Sequence, residues 1–365
     1  ATQFALVDEA HKQKHIESVA ETLQVLSKHG VTSLFDAGNK GYGDLVYGVV
    51  SQLEEEGRLP VRYYGTYQIF TPERAKTAIS EVMRYREEYG GDLLQFNSVK
   101  LFMDGISANQ SAGFLEPYSG GSGTVGTTML SVEELRDLLL ELNEAKLDLL
   151  VHTIGDLAVR TVLDAVEAAQ ATAKDDFYPR VTMAHLVLID PVDLSRIKEL
   201  GIIANFTPWW MGVENNDVVR ELLGEERYSS TYQARSVFDS GAVVSFSSDE
   251  WWGGDMLPTY ISPYLGMQVG HTRQYPKEWW ETEAEGVRLP RDERLSLEQL
   301  IEGYTQNGAY QLRREDDLGS IEVGKFADLV VLDNDLFEGD RYEIWKSKPS
   351  AVMMEGEVVQ GSLPD

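Results

Sequence analysis

An α/β fold, a parallel sheet rolled toward a (β/α) barrel, is what this sequence predicts, on three observations. Short apolar runs alternate with amphipathic stretches of helical length through most of the chain, the rhythm of a parallel sheet with helices outside. Four of those runs deliver metal-ligand types at or near their ends. FNSVKLFMDG holds Lys100 and Asp104, LDLLVHTIGD holds His152, RVTMAHL holds His185, and AVVSFSSDE holds Asp249. The spacing agrees, because His152 and His185 lie about one β-α-β unit apart and His185 and Asp249 about two, at roughly 30 residues per unit. Barrels of this type carry their chemistry at the C-terminal ends of the strands, so these four ends share one mouth.

Taken in order, a polar helix is expected over 11–28, stopped by Gly30. GVTSLFDAG follows as the first strand, closing on Asp36, and a helix over 44–56 leads past Pro60 to VRYYGTYQI. One long helix, PERAKTAISEVMRYREEYG, precedes NSVKLFMDG. LDLLVHTIG, RVTMAHL, IIANFTP and AVVSFSSDE bring the strands to seven, with helical SVEELRDLLLELNEAK, DLAVRTVLDAVEAAQATA and PVDLSRIKELG between them. Two stretches break the rhythm, a Gly/Ser-rich loop over 107–128 and an aromatic-rich excursion over 251–290. Loops after strands line the mouth of such barrels, so both read as lids or substrate walls. From residue 318 short alternating strands with glycine turns take over. The expected division is a barrel over 1–317 and a small β-domain over 318–365.

Composition narrows the function. Sixty acidic against 32 basic side chains leave a net charge of -28, a field that repels phosphate backbones, so no nucleic-acid partner is expected. The acidic residues are spread over many helices, the pattern of a solvated surface. At 42% hydrophobic and 25% charged the chain is globular. No apolar run approaches the roughly 20 residues of a membrane span, so no membrane partner is expected either. A small-molecule substrate is the expected partner, and the sequence is compatible with a homo-oligomer. The chain has no cysteine, which excludes disulfides, thiolate ligands and thiol nucleophiles. The cytoplasm is the expected compartment, with a periplasmic or secreted location left open by a start at Ala1 without an initiator methionine.

Each candidate site residue has a bland alternative. A single strand-end histidine is more often a satisfied core residue, whereas His152 and His185 together read as ligands. Neutral imidazoles suit zinc, iron or manganese, and each ring then needs an acceptor for its other nitrogen. Asp249 could simply cap the next helix. On the last strand of the series it reads as ligand and general base, taking the proton of an attacking water and returning it to the leaving group. Lys100, inside VKLF, would be costly to bury unpaired. Either it pairs with Asp104, or its amine is carboxylated into an anionic ligand able to bridge two metal ions. Asp156 reads as a cap for the following helix, and Asp36 and Asp104 as further candidates near the metal. His11 and His15 share a helix face but sit in a charged, solvated segment. The aromatics Trp209, Trp210, Trp251, Trp252, Tyr260 and Tyr264 follow the last two strands and favour a pocket for an apolar or aromatic substrate. Asp104, Trp209, Trp251 and Tyr260 are the expected substrate contacts.

At these residues the chain resembles the amidohydrolase superfamily, in particular amidohydrolase family 3, the branch that includes N-substituted formamide deformylase and proteins labelled exoenzyme regulators. The matching segments are GVTSLFDAG, VKLFMDG with the later EPYSG, VHTIGDLAV, AHL, FSSDE, and TQNGA followed by GSIEVGKFADLVVLD, covering nearly the whole chain. The resemblance implies a TIM-type (β/α)8 barrel with a small β-sandwich. It implies that Lys100, His152, His185 and Asp249 are ligands from the fourth, fifth, sixth and eighth barrel strands. One or two divalent ions, zinc foremost, and hydrolysis of a C–N bond of amide or N-formyl type are implied with them. The family takes two further ligands from a His-x-His pair on its first barrel strand, and no such pair occurs here. Seven strand candidates, with the ligands on the third, fourth, fifth and seventh, leave that strand unaccounted for. The expectation is the C-terminal two-thirds of a longer enzyme, with an open barrel seam, part of the sandwich, and a weakened or absent metal site. A non-catalytic regulatory protein on the same fold is the competing reading, and a deaminase of the superfamily the nearest enzymatic rival.

Overall fold

The computed structural model describes residues 9–120, 122–213, 218–249, 257–280 and 286–363. Seven parallel strands form one curled sheet in chain order: β1 (Ser33–Phe35), β2 (Arg62–Ile69), β3 (Leu94–Phe102), β4 (Asp148–Thr153), β5 (Val181–His185), β6 (Ile203–Phe206) and β7 (Val243–Phe246). All seven expected strands are present, each paired with its sequence neighbour, as successive β-α-β crossovers produce. β1 and β7 are the two edges, so a seam separates them among the described residues. β2, β4, β5 and β6 are buried at every residue, which explains why their sequences read as continuous apolar runs rather than alternating ones.

The outer helices follow their sequence signals. Val132–Ala145 opens with a capping box in which Ser131 Oγ accepts from Glu134 N and the Glu134 carboxylate accepts from Ser131 N. Its stripe of Leu135, Leu138, Leu139 and Leu142 is buried, and the helix packs on Asp156–Ala173. The stretch 72–90, expected as one helix, is two: Pro72–Ala75 and Ala78–Tyr89. In the first, Arg74 lies over the rings of Tyr67 and Phe70 (4.3 and 4.5 Å) and its Nε donates to the Gln68 carbonyl (2.7 Å).

The C-terminal strands β8 (Leu329–Leu332), β9 (Pro349–Met354) and β10 (Glu357–Gly361) form a separate antiparallel sheet ordered β10-β9-β8. The helix Glu9–Lys28 packs on β9 and β10. Arg62, the first residue of β2, donates to Asp328 (2.5 and 3.2 Å) and Glu355 (2.7 Å), tying the small sheet to the N-terminal ends of the barrel strands. That end is the foot, and the candidate site lies at the other. No helix among the described residues is long and apolar enough to cross a membrane.

Candidate metal centre

Parallel register brings the candidate residues to one end of the sheet. Phe102 pairs with His152 and Thr153 with His185, so β3, β4 and β5 end level with one another. Lys100 lies two residues before Phe102, on the same face. Strict alternation along β5 would send His185 to the face opposite Ala184, which is the register partner of His152. The backbone overrides it. His185 (φ +80) and Leu186 (φ +48) are both left-handed, a region that non-glycine residues rarely enter. This turn brings the imidazole back, its centroid 4.6 Å from that of His152. Strain of about 1–3 kcal/mol per residue is held in place by Leu186 N and Leu188 N, which donate to the carbonyls of Thr153 (2.9 Å) and Ile154 (3.1 Å).

The two rings are oriented by different means. His152 Nε2 lies 3.1 Å from the Gly105 carbonyl. A carbonyl only accepts, so Nε2 carries the proton and the Nδ1 lone pair is left for a cation. His185 Nδ1 is buried without a hydrogen-bond partner among the described residues. Trp210 stacks on its face instead, at 5.0 Å and 11° between planes. Burial holds both imidazoles neutral, with the Lys100 ammonium adding to the effect. His152 is pushed down to about 3, and His185 falls well below the usual histidine range. Lys100, 3% exposed, makes no hydrogen bond or ion pair among the described residues, and its Nζ lies 5.1 Å from the Phe102 ring centroid. Burial pulls its ammonium down to about 8, against the attraction of Asp249 and Asp104.

Asp104 is sealed from solvent, and its carboxylate accepts N–H groups from Ile154 (3.0 Å), Gly155 (2.9 Å) and Gly113 (3.1 Å). Burial raises its carboxyl to about 7, the three N–H groups opposing. These bonds pin the turn after His152 to the Gly/Ser-rich loop. Asp156 acts alongside it, taking Leu115 N at 2.8 Å, while Gly155 occupies the cap position expected of Asp156. A Cβ at Gly155 would strike the Gly113 carbonyl, so glycine is required at this close approach. Asp36 accepts from Tyr63 Oη (2.9 Å) and Gly38 N (2.7 Å).

Asp249 differs from the others. It is exposed, with a left-handed backbone (φ +48), on the rim beyond β7. Trp209 Nε1 donates to the carbonyl of the preceding Ser248 (2.6 Å), and the Trp209 ring lies 4.8 Å from that of Tyr260. Tyr264 is elsewhere, buried with its hydroxyl on the His29 carbonyl (3.3 Å), near the foot. Trp251 and Trp252 lie outside the described residues, as does the side chain of His11. Two contributions escaped sequence reading, the Gly105 carbonyl and the stacking of Trp210, read there only as a pocket aromatic, on His185. The first had a signal in the Asp-Gly that ends β3; the second had only its place in a run of aromatics.

The donor chemistry fits a divalent cation: two neutral imidazoles, one with its second nitrogen already tied to a carbonyl, the other with a buried ring nitrogen unpartnered. Among the described residues no three His, Asp or Glu side chains converge on one point. The imidazole pair is therefore the nucleus, with Lys100 beside it and Asp249 on the rim.

A curled parallel sheet with paired imidazoles at its C-terminal rim has the architecture of a TIM-type hydrolase barrel. A model of the amidohydrolase family matches residues 2–360, and the chain belongs to that family. It is 30% identical over 244 residues to the N-substituted formamide deformylase of Arthrobacter pascens, covering 67% of this chain and 42% of that protein. The fold is that of a metal-dependent hydrolase of Pyrococcus horikoshii, with TM-score 0.69, 23% identity and coverage of 90% of this chain and 62% of the other. It is also shared with a mutant of atrazine chlorohydrolase TrzN from Arthrobacter aurescens, solved with zinc and atraton, at TM-score 0.59, 14% identity and coverage of 95% and 72%. The chain spans about half the length, or less, of the curated relatives it matches.

Proposed function

We propose that this chain supplies the barrel of a divalent-metal hydrolase that cleaves the C–N bond of a small amide, an N-formyl or N-acyl group on an apolar or aromatic amine. One observation carries the reading: two buried neutral imidazoles face each other at 4.6 Å on the ends of β4 and β5, beside a buried Lys100 that has no hydrogen bond or ion pair among the described residues. His152, through Nδ1, and His185 would hold the cation. Lys100 would join them after carboxylation, in which neutral Nζ bonds to the carbon of carbon dioxide and releases a proton to solvent. Asp249 would be a further ligand. When bound, a divalent ion, zinc foremost, supplies Lewis acidity toward a carbonyl and makes a water acidic near neutral pH. Asp249, open to solvent at the rim, takes the water's proton as the C–O bond forms and returns it to nitrogen as the C–N bond breaks. Trp209 and Tyr260 offer the substrate an apolar wall, with Trp251 as a third contact. Asp104, whose carboxylate bonds three backbone N–H groups, supports the substrate side by holding the loop over 107–128 in place. The similarity to the N-substituted formamide deformylase of Arthrobacter pascens supports a formamide-like substrate.

The test is amine release from a series of N-formyl and N-acetyl arylalkylamines by zinc-loaded protein, with metal content from elemental analysis. Turnover is expected only with metal, and Asp249→Asn should lower kcat by about 100-fold or more. Zinc retention without turnover of any substrate in the series overturns the amide reading. A second reading rests on the lack of a third His, Asp or Glu at the imidazole pair among the described residues. Under it the chain is a non-catalytic scaffold on the same fold, and zinc neither binds nor raises Tm.

A further inference from the structure

β6, like β2, ends in no ligand-type side chain, yet the segment after it touches His185 on one side and the residue before Asp249 on the other. The short 3-10 turn Pro208–Met211 carries Trp209 and Trp210. Trp210 lies flat on His185, at the end of the preceding strand (5.0 Å, 11°). Trp209 turns its ring nearly perpendicular to Trp210 (84°) and donates Nε1–H to the Ser248 carbonyl, one residue before Asp249 on the following strand (2.6 Å). The turn itself is wedged. It packs on the helix Pro263–Thr272, and Arg288 holds the Gly212 carbonyl at its end (2.8 Å).

His185 is where such a device has work to do. A ligating histidine ordinarily has its second nitrogen fixed by an acceptor, as Gly105 does for His152. Among the described residues no hydrogen bond fixes either nitrogen of the His185 ring, so whichever one holds the cation the other has no acceptor. The left-handed backbone takes the residue out of the strand's regular side-chain alternation. The ring face is the surface by which its plane is held.

We propose that Trp209 and Trp210 are the positioning residues of the metal centre. Trp210 sets the plane of the His185 imidazole by stacking, and Trp209 sets the Ser248–Asp249 end of β7 through its indole N–H. The role rests on the metal reading given above. It goes beyond a substrate wall, because it predicts an effect on metal affinity without substrate present.

The probe is Zn2+ alone, titrated against a chromophoric chelator in competition with the full chain. Trp210→Leu should weaken zinc by about 10- to 100-fold, the usual effect of losing an orienting partner. Trp210→Phe, which keeps a stacking ring, should stay within about threefold of wild type on the same scale. Trp209→Phe keeps the ring and loses the N–H. It should weaken zinc less than Trp210→Leu does and alter the absorption bands of bound Co2+. A second readout needs no metal: the His185 Cε1–H resonance, assigned through His185→Gln, should sit upfield under the Trp210 ring current and move downfield in Trp210→Leu. Unchanged zinc affinity in a Trp210→Leu protein whose His185 resonance has moved overturns the proposal and leaves the metal reading standing. An unmoved resonance also overturns it, by removing the stacking. No zinc binding by wild type overturns the metal reading and this role together.

Discussion

The two ends of the barrel treat buried charge in opposite ways. At the foot, cations are matched to carboxylates. Arg62 meets Asp328 and Glu355, Arg313 takes both oxygens of Asp148 (2.7 Å each) over the Tyr178 ring, and Arg180 takes both oxygens of Glu315 (3.0 and 2.5 Å) over Tyr310. At the mouth Lys100 has no hydrogen-bonded partner among the described residues, His185 Nδ1 has none, and His185, Leu186 and Asp249 sit in left-handed backbone. Pairing at the foot stabilises the fold. Left-handed residues (Arg313 and Glu355) and buried polar atoms without a hydrogen-bond partner among the described residues (His29 Nδ1 and Ser33 Oγ) occur at the foot as well. The contrast therefore lies in the buried cations, matched to carboxylates at the foot and left without a hydrogen bond at the mouth, where a ligand would use them. The difference is a physical signature of function that does not depend on naming the reaction.

The largest effect should come from breaking the foot. Arg62→Ala removes a side chain that is 2% exposed and leaves Asp328, 9% exposed, without its cation. Breaking a buried pair from one side costs about 3–5 kcal/mol. Urea denaturation of the full chain should show that loss, and Arg62→Met with Asp328→Leu should recover most of it. A double variant as unstable as the single one would mean that the ion pair, rather than the burial of unpaired charge, holds the two sheets together.

Asp104 sharpens the comparison, because it is a mouth residue bonded in the manner of the foot. Asp104→Ala leaves Ile154 N, Gly155 N and Gly113 N without their acceptor. With each unsatisfied group costing about 1–3 kcal/mol and partial relaxation of the loop, a loss of about 2–3 kcal/mol is expected. Hydrogen exchange should quicken first at Gly113 and Ile154. A variant with unchanged stability and exchange would mean that these three bonds do not anchor the loop.

Most of the fold was legible in the sequence because burial on both faces leaves strands apolar, and turn residues punctuate them. The seven strands follow from such local rules. The break at Lys76–Thr77 was hidden because neither a glycine nor a proline marks it. Strand-end chemistry made His152 and His185 visible, but not how they meet. Alternation argues against His185 facing His152, and only the left-handed turn, held by bonds to β4, brings it round. Asp104 looked like a site residue from its place at the end of β3, yet the groups it binds are backbone N–H, which every sequence contains and none displays.

The smallest effect is the most direct test of the mouth. Lys100→Met keeps the length and apolar contacts of the side chain while removing an ammonium that is 3% exposed and lies over Phe102 without a hydrogen bond. Burying such a group unpaired is unfavourable, and functional sites commonly gain stability when their strained or charged members are replaced. The metal-free protein should therefore be stabilised by about 1–2 kcal/mol, opposite in sign to the loss at Arg62. Urea denaturation in the presence of a chelator measures it. A loss instead would mean that attraction to Asp104 and Asp249 outweighs desolvation, making Lys100 a structural cation like those of the foot. With a gain, zinc titration of the same variant should show weaker binding than wild type, separating a lysine retained for the metal from one retained for the fold.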